Sequence, residues 1–240
     1  MVEYYIGTSG WHYEHWRGLF YPEGLAKANW LDFYAQHFST VELNNSFYHL
    51  PSEKAFVNWR ESSSQSFVFA VKVSRFITHI KRLKDAEEPL ENFLGRAGFL
   101  QHKLGPLLYQ LPPNMKRDDK RLEAFLSILP AQYCHVFEFR HESWLDDSVF
   151  QMLERYNVGL CVFDMPGFTC PVVATADFAY VRFHGSAGLY WSCYSDEELS
   201  QWAEKIVELG RGLKKVYIYF NNDAEAYAVR NAKTIARFLV

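Results

Sequence analysis

The chain is predicted to fold as an α/β protein, a single (β/α)8 TIM barrel. Short β-rich runs alternate with helical stretches from end to end, the β-rich runs number eight, and the length is 240 residues. Strict alternation implies a parallel sheet, because parallel neighbours need a crossover between them. Eight such strands in a chain near the ~250 residues typical of the architecture close most naturally into a barrel. No linker, low-complexity run or internal repeat breaks the pattern, so one domain is expected over 1–240.

The strands are expected over 4–8, 40–43, 67–73, 105–110, 135–139, 158–163, 179–183 and 215–220. Helices are expected over 30–37, 53–60, 90–103, 118–129, 146–156, 196–209 and 224–239. Leu31, Tyr34, Ala35 and Phe38 give the first its apolar face, and Leu90, Phe93, Leu94 and Ala97 give the third its own. Ser52 and Ser195 stand where N-caps belong, with Asp196 in the first turn after the second. The stretch 164–177 holds Pro166 and Pro171 and has no helical period. A long loop is expected there in place of the helix between strands 6 and 7.

Composition narrows the function. Hydrophobic residues make up 49% and charged residues 22%, an ordinary globular balance, and the net charge is −3. That charge disfavours a surface devoted to nucleic acid but permits a local basic groove. Cys134, Cys161, Cys170 and Cys193 lack zinc-ligand spacing and are read as reduced thiols. With no signal-peptide pattern and no apolar run long enough to span a bilayer, the chain is expected to be cytoplasmic, with no membrane partner.

Strand parity locates the site. Side chains alternate between the helix layer and the barrel axis. Phe137 and Phe139 suit the helix layer, which leaves Glu138 and Arg140 on the axis; Val181 and Phe183 likewise leave Arg182 and His184. Glu42 pairs with Asn44, Lys72 with Ala70, Gln110 with Leu108 and Asn221 with Tyr219; Asp164 pairs with Val162 and is expected to join them. Ser9 ends the first strand, with its face undecided. These residues fall at the C-terminal strand ends, where barrel active sites are built. The competing reading is an ion-pair network that only closes the barrel: Glu42, Glu138 and Asp164 supply three negative charges, and Lys72, Arg140 and Arg182 three positive ones.

At this point the residues carry a resemblance. Gly7-Thr8-Ser9-Gly10-Trp11 with Tyr13 and Trp16, Thr40 to Tyr48 with Leu50-Pro51, Phe69-Ala70-Val71-Lys72 and Ile77-Thr78-His79 all resemble the YecE-like family. So do Gln110-Leu111-Pro112-Pro113, Glu138 to Trp144, Tyr180 to Gly185 and Tyr219 to Asp223. This is a bacterial and archaeal domain of unknown function. The resemblance implies a TIM barrel and supplies no reaction. Members look similar in fold to apurinic-endonuclease and sugar-isomerase barrels, an analogy of fold alone. His49 departs from a frequent arginine, and Ala226 from an expected glycine in the final loop.

The chemistry follows from residue types. Lys72, Arg140 and Arg182 offer charged donors for an anion, with Ser9, Asn44, His79, Gln110, Asn221, Asn222 and Asp223 adding polar contacts. Trp11, Tyr13, Trp16, Phe47, Tyr48, Trp144, Tyr190, Trp191 and Tyr194 form an aromatic rim suited to a sugar or base; burial of these rings as satellite core is the plainer alternative. Glu42 and Glu138 could act as an acid–base pair, and Asp164 could orient His184 as a proton shuttle. No HxH, HExxH, serine elbow or P-loop occurs, and each inward carboxylate has a basic neighbour. No metal or cofactor is therefore expected. The expectation is a metal-independent hydrolase or lyase acting on a small anionic ligand with a sugar or base ring. The alternatives are a non-catalytic nucleic-acid or nucleotide binding module and a metal-dependent phosphodiesterase of the apurinic-endonuclease type.

Overall fold

The computed structural model describes residues 2–239. The strands are β1 (Glu3–Thr8), β2 (Thr40–Leu43), β3 (Val68–Lys72), β4 (Leu104–Gln110), β5 (His135–Glu138), β6 (Gly159–Asp164), β7 (Phe178–Phe183) and β8 (Lys215–Phe220). The helices are α1 (Trp30–Ala35), the single turn α2 (Asn45–Tyr48), α3 (Glu53–Glu61), α4 (Glu87–Ala97), α5 (Asp119–Ser127), α6 (Asp147–Arg155), α7 (Asp196–Leu209) and α8 (Tyr227–Leu239). All eight strands are parallel to their neighbours in the order β1-β8-β7-β6-β5-β4-β3-β2. The architecture is the predicted barrel, nearly closed, with helices around it.

The helices start where the sequence places side-chain acceptors for the unpaired N–H groups of a first turn. Ser52 accepts from Ala55 N at 3.2 Å, Asp118 from Arg121 N at 3.1 Å, and Asp146 from Ser148 N at 3.0 Å. Ser195 and Glu198 form a reciprocal capping box on α7. Two predicted helices are cut by left-handed residues inside their expected range. The run 90–103 ends as α-helix at Ala97, and Gln101 turns with φ 55°. The expected helix 224–239 begins at Tyr227, because Glu225 and Ala226 take φ 50° and 54°. Ala226 thus keeps the left-handed turn that glycine would favour, at a cost of about 1 kcal/mol.

The seam between β1 and β2 closes the barrel. The two strands meet through one bridge, Ser9 to Glu42. Tyr34 from α1 fills the rest: its hydroxyl accepts from Thr8 N at 2.9 Å and donates to Thr40 O at 3.1 Å. A Cβ on Gly7 would lie 2.3 Å from Thr40 O, so only glycine lets the strands approach this closely.

The loop between β6 and β7 replaces a helix, as expected, and it also has a packing role. β5 and β6 pair over only Val136–Gly159 and Phe137–Leu160. Met165, Phe168 and Cys170 from the loop pack on the apolar cluster inside the barrel. Thr175 ties the loop back, its Oγ1 donating to Val158 O and accepting from Leu160 N, both at 2.7 Å. All four cysteines are free thiols. No helix among the described residues is long and apolar enough to cross a membrane.

If the Gly7 approach sets the seam, Gly7→Ala overpacks it and lowers unfolding free energy by about 1–3 kcal/mol. Urea denaturation at constant m-value measures this.

Candidate functional site

The barrel interior has an apolar lower part and a charged upper part. Ala70, Leu108, Val136, Cys161, Phe163, Phe178, Tyr180, Tyr217 and Tyr219 form one buried cluster, separate from the larger core between sheet and helices. Above it, Arg182 of β7 joins two carboxylates across the barrel. Its Nη2 donates to Glu42 Oε1 at 2.8 Å and its Nη1 to Glu138 Oε2 at 2.5 Å. Ser9 Oγ donates to Glu42 Oε1 at 2.8 Å, and Tyr180 Oη to Glu42 Oε2 at 2.6 Å. Gln110 Nε2 donates to Glu138 Oε1 at 2.8 Å, and Arg140 Nε donates to the same oxygen. Both oxygens of both carboxylates are therefore occupied, as buried charges require.

Glu42, Glu138, Arg182 and His184 are completely buried, whereas Asn44, Lys72, Gln110, Arg140 and Asn221 are half-buried and reach the mouth. The site thus has a sealed charged floor and an accessible polar upper layer. Burial pushes the Glu138 carboxyl up, but the Arg140 and Arg182 charges outweigh burial and hold it well below the usual range. Burial, reinforced by Arg182 and Arg140, pushes His184 well below the ordinary imidazole value.

A neutral His184 has a defined tautomer. Its Nε2 lies 2.8 Å from Arg140 Nη2, which can only donate, so Nε2 carries the lone pair. The proton then sits on Nδ1, 3.1 Å from the Asn221 amide, which must present its oxygen there.

Lys72 is the exception among the cations. Its Nζ lies 4.3 Å from the centre of the Phe47 ring, and among the described residues it has no ion-pair or hydrogen-bond partner. Burial, with Arg182 adding to it against Glu138 and Glu42, lowers its pKa to about 8. Burial and the Lys72 charge also lower His79, which packs edge-on against Phe47 at 5.0 Å, to about 4. Asn44 Oδ1 is buried with no partner among the described residues.

The structure corrects four placements. Asp164 faces the helix layer, where it accepts from Tyr194 Oη at 2.7 Å, and so it does not orient His184. Strand β6 is apolar on both faces, and it is Cys161 and Phe163 that point inward. Asn222 also lies outside the axis, donating to Ser192 O at 2.9 Å and Asn231 Oδ1 at 2.8 Å. Trp144 is fully buried, stacks on Phe139 at 4.9 Å and donates to Met115 O at 2.7 Å, so it is core and no part of the rim. Asp223 serves the first loop: its carbonyl accepts from Trp16 Nε1 and His15 Nε2, each at 2.8 Å.

Trp11 and Tyr13 line a cleft of about 400 Å³ with Gly10, His12, Asn44, Asn45 and Trp59, and Tyr13 Oη donates to Ser9 O at 2.6 Å. Trp16 and Tyr194 are buried, whereas Tyr48 at the end of α2 is 64% exposed and Tyr190 and Trp191 on the loop between β7 and α7 are 42% and 65% exposed. A larger groove of about 670 Å³ along α4 contains none of these residues. Two members of the network were not anticipated: Tyr180 and Cys161, whose Sγ lies 3.8 Å from Glu138 Oε2. The parity that places Arg182 inward also places Tyr180 there, so that signal was available.

Comparison with known proteins agrees with this architecture. A family described as "Protein of unknown function DUF72" matches residues 5–240. A DUF72 family protein of Thermotoga maritima superimposes with a TM-score of 0.90 at 34% identity, covering 98% of each chain. The UPF0759 protein YunF of Bacillus subtilis is 26% identical over 98% of this chain and 94% of its own. The UPF0759 protein YecE of Escherichia coli is 32% identical over 57% of this chain and 48% of its own. The chain belongs to the DUF72 family.

Removing Arg182 strands two buried carboxylates. Arg182→Met is expected to cost about 3–5 kcal/mol of unfolding free energy, with part recovered when Glu138→Gln is added. Chemical denaturation of the two variants measures both values.

Proposed function

We propose that this DUF72 family protein is an enzyme, a hydrolase or lyase needing no resident metal, that takes a small monoanionic ligand with a sugar-like or base-like ring at the C-terminal mouth. The observation that carries this reading is the charge of the site. With Asp164 turned outward and His184 neutral, Glu42 and Glu138 face Arg140, Arg182 and Lys72. Two negative charges meet three positive ones, and the surplus stands on Lys72 at the accessible level.

The roles divide by depth. Arg182 and Glu42 form the scaffold. Lys72 and Arg140 meet the anion, and Asn44, Gln110 and Asn221 orient its polar groups. Tyr48, Tyr190 and Trp191 offer flat faces to a ring. Glu138 is held ionised and serves to position Arg140 rather than to give up a proton. When Arg140 turns toward a ligand anion, it releases His184 Nε2 as a neutral proton acceptor. A metal would have to displace two guanidinium groups from these carboxylates, which counts against a metal-dependent phosphodiesterase.

One observation favours the non-catalytic alternative. Arg75, Arg82, Lys84 and Lys116 are exposed on the loops after β3 and β4, without ion-pair partners among the described residues, and Phe76 is exposed between them. Single-stranded nucleic acid would suit such a surface, and binding would weaken steeply with salt. Arg75→Ala with Arg82→Ala separates the two readings, because it weakens oligonucleotide binding and leaves the mouth intact.

D-galacturonate, a monoanionic sugar acid, is a suitable probe. Calorimetric titration is expected to show binding that falls about tenfold or more in Arg140→Gln and in Lys72→Met. Equal titrations for wild type and both variants would remove the reading.

A further inference from the structure

The ring holds three cations, and two of them have carboxylate partners. Arg182 spans Glu42 and Glu138, and Arg140 is paired with Glu138 through Nε while its Nη2, on His184 Nε2, is the group that can turn to a ligand. Lys72 ends β3 at the mouth, with its ammonium against the Phe47 face. Ser46 Oγ anchors the backbone there, donating to Lys72 O at 2.7 Å. The charged and titratable groups around Lys72 are Glu42 from β2, Glu138 from β5, Arg140 just beyond β5, Arg182 from β7, and His79 from the turn after β3. The two carboxylates among them are saturated by other donors, so neither holds the ammonium charge in place. Asn44, immediately after β2, keeps a buried acceptor oxygen free among the described residues.

We propose that Lys72 is the nucleophile of this site, forming an imine with the carbonyl carbon of a 2-oxo acid or oxo sugar acid whose carboxylate is held by Arg140. The inference rests on the small-anion reading above. It adds a reactive group to that ligand and selects lyase over hydrolase chemistry.

Physical chemistry distinguishes the lysine from the arginines. A guanidinium stays protonated and serves as an anion clamp, whereas a desolvated amine beside other cations loses its proton readily and becomes nucleophilic. Lys72 has that environment: burial and Arg182 together bring its pKa to about 8. The step balances without an outside oxidant or reductant. The neutral Nζ lone pair attacks the carbonyl carbon and forms the C–N bond. Both nitrogen protons pass to the carbonyl oxygen, which leaves as water as the C=N bond forms. Protonation of the imine then makes it a sink for the electrons of a neighbouring C–C or C–H bond, which is what a lyase needs.

Pyruvate and lactate provide the test on the full chain. They match in size and charge, but only pyruvate has a carbonyl. With pyruvate and cyanoborohydride, one reduced adduct per chain is expected, mapping to Lys72 by peptide mass spectrometry. Lactate should slow its formation in proportion to occupancy and leave no adduct itself. Lys72→Arg keeps the charge but has no nucleophilic amine, and the adduct should be lost. Lactate binding without a Lys72 adduct would overturn the imine and leave the anion site standing. Absence of lactate binding together with absence of adduct would remove both. Adducts spread over surface lysines and unchanged in Lys72→Arg would also overturn the proposal.

Discussion

Arg182 bridging Glu42 and Glu138 inside the barrel is the interaction on which the rest of the site depends. Its two nitrogens reach carboxylates on β2 and β5, strands on opposite arcs of the sheet. A guanidinium suits this task because its fork is planar and permanently charged. Burying such a trio in a low-dielectric interior is favourable only when every acceptor is filled. That condition accounts for Ser9, Tyr180 and Gln110, each of which spends its donor on one of the two carboxylates. It also ties the site to the seam, since Ser9 and Glu42 are the residues through which β1 and β2 meet.

From this constraint follows the division of the mouth into floor and upper layer. The floor is neutral as a unit of two carboxylates and two arginines, once Arg140 is included. What remains above it is one lysine and three amides, with the neutral His184 imidazole buried beneath them. Such a layer has hydrogen-bonding capacity in both directions and a single positive charge. Purely structural closure of a barrel has no need of the surplus lysine, and that surplus is the basis for proposing a binding site here.

The fold was legible because the barrel imposes a periodic demand on the chain. All eight strands fall within a residue or two of their expected positions, and the loop replacing a helix announced itself by two prolines and lost periodicity. The site was legible where one face of a strand is polar and the other apolar, as at Phe137–Glu138 and Val181–Arg182. It failed on β6, where Leu160, Cys161, Val162 and Phe163 are all apolar and Asp164 drew the polar face to itself. Asn222 misled for a related reason: a buried amide serving α8 and the β7–α7 loop has the composition of a ligand contact. Trp144 sits beside a charged motif yet packs flat on Phe139, and nothing in its neighbours tells a rim ring from a core ring. These corrections changed the charge count from balanced to one positive in surplus.

Titration of Lys72 tests that count most directly. In protein labelled with 13C and 15N at lysine, the Lys72 side-chain resonance is followed by NMR from neutral to alkaline pH. The account predicts a midpoint of about 8, distinct from the surface lysines, since burial and Arg182 outweigh two carboxylates already claimed by other donors. A midpoint near the ordinary 10.5 would contradict it, because it would mean that a carboxylate or open water still balances the Lys72 charge.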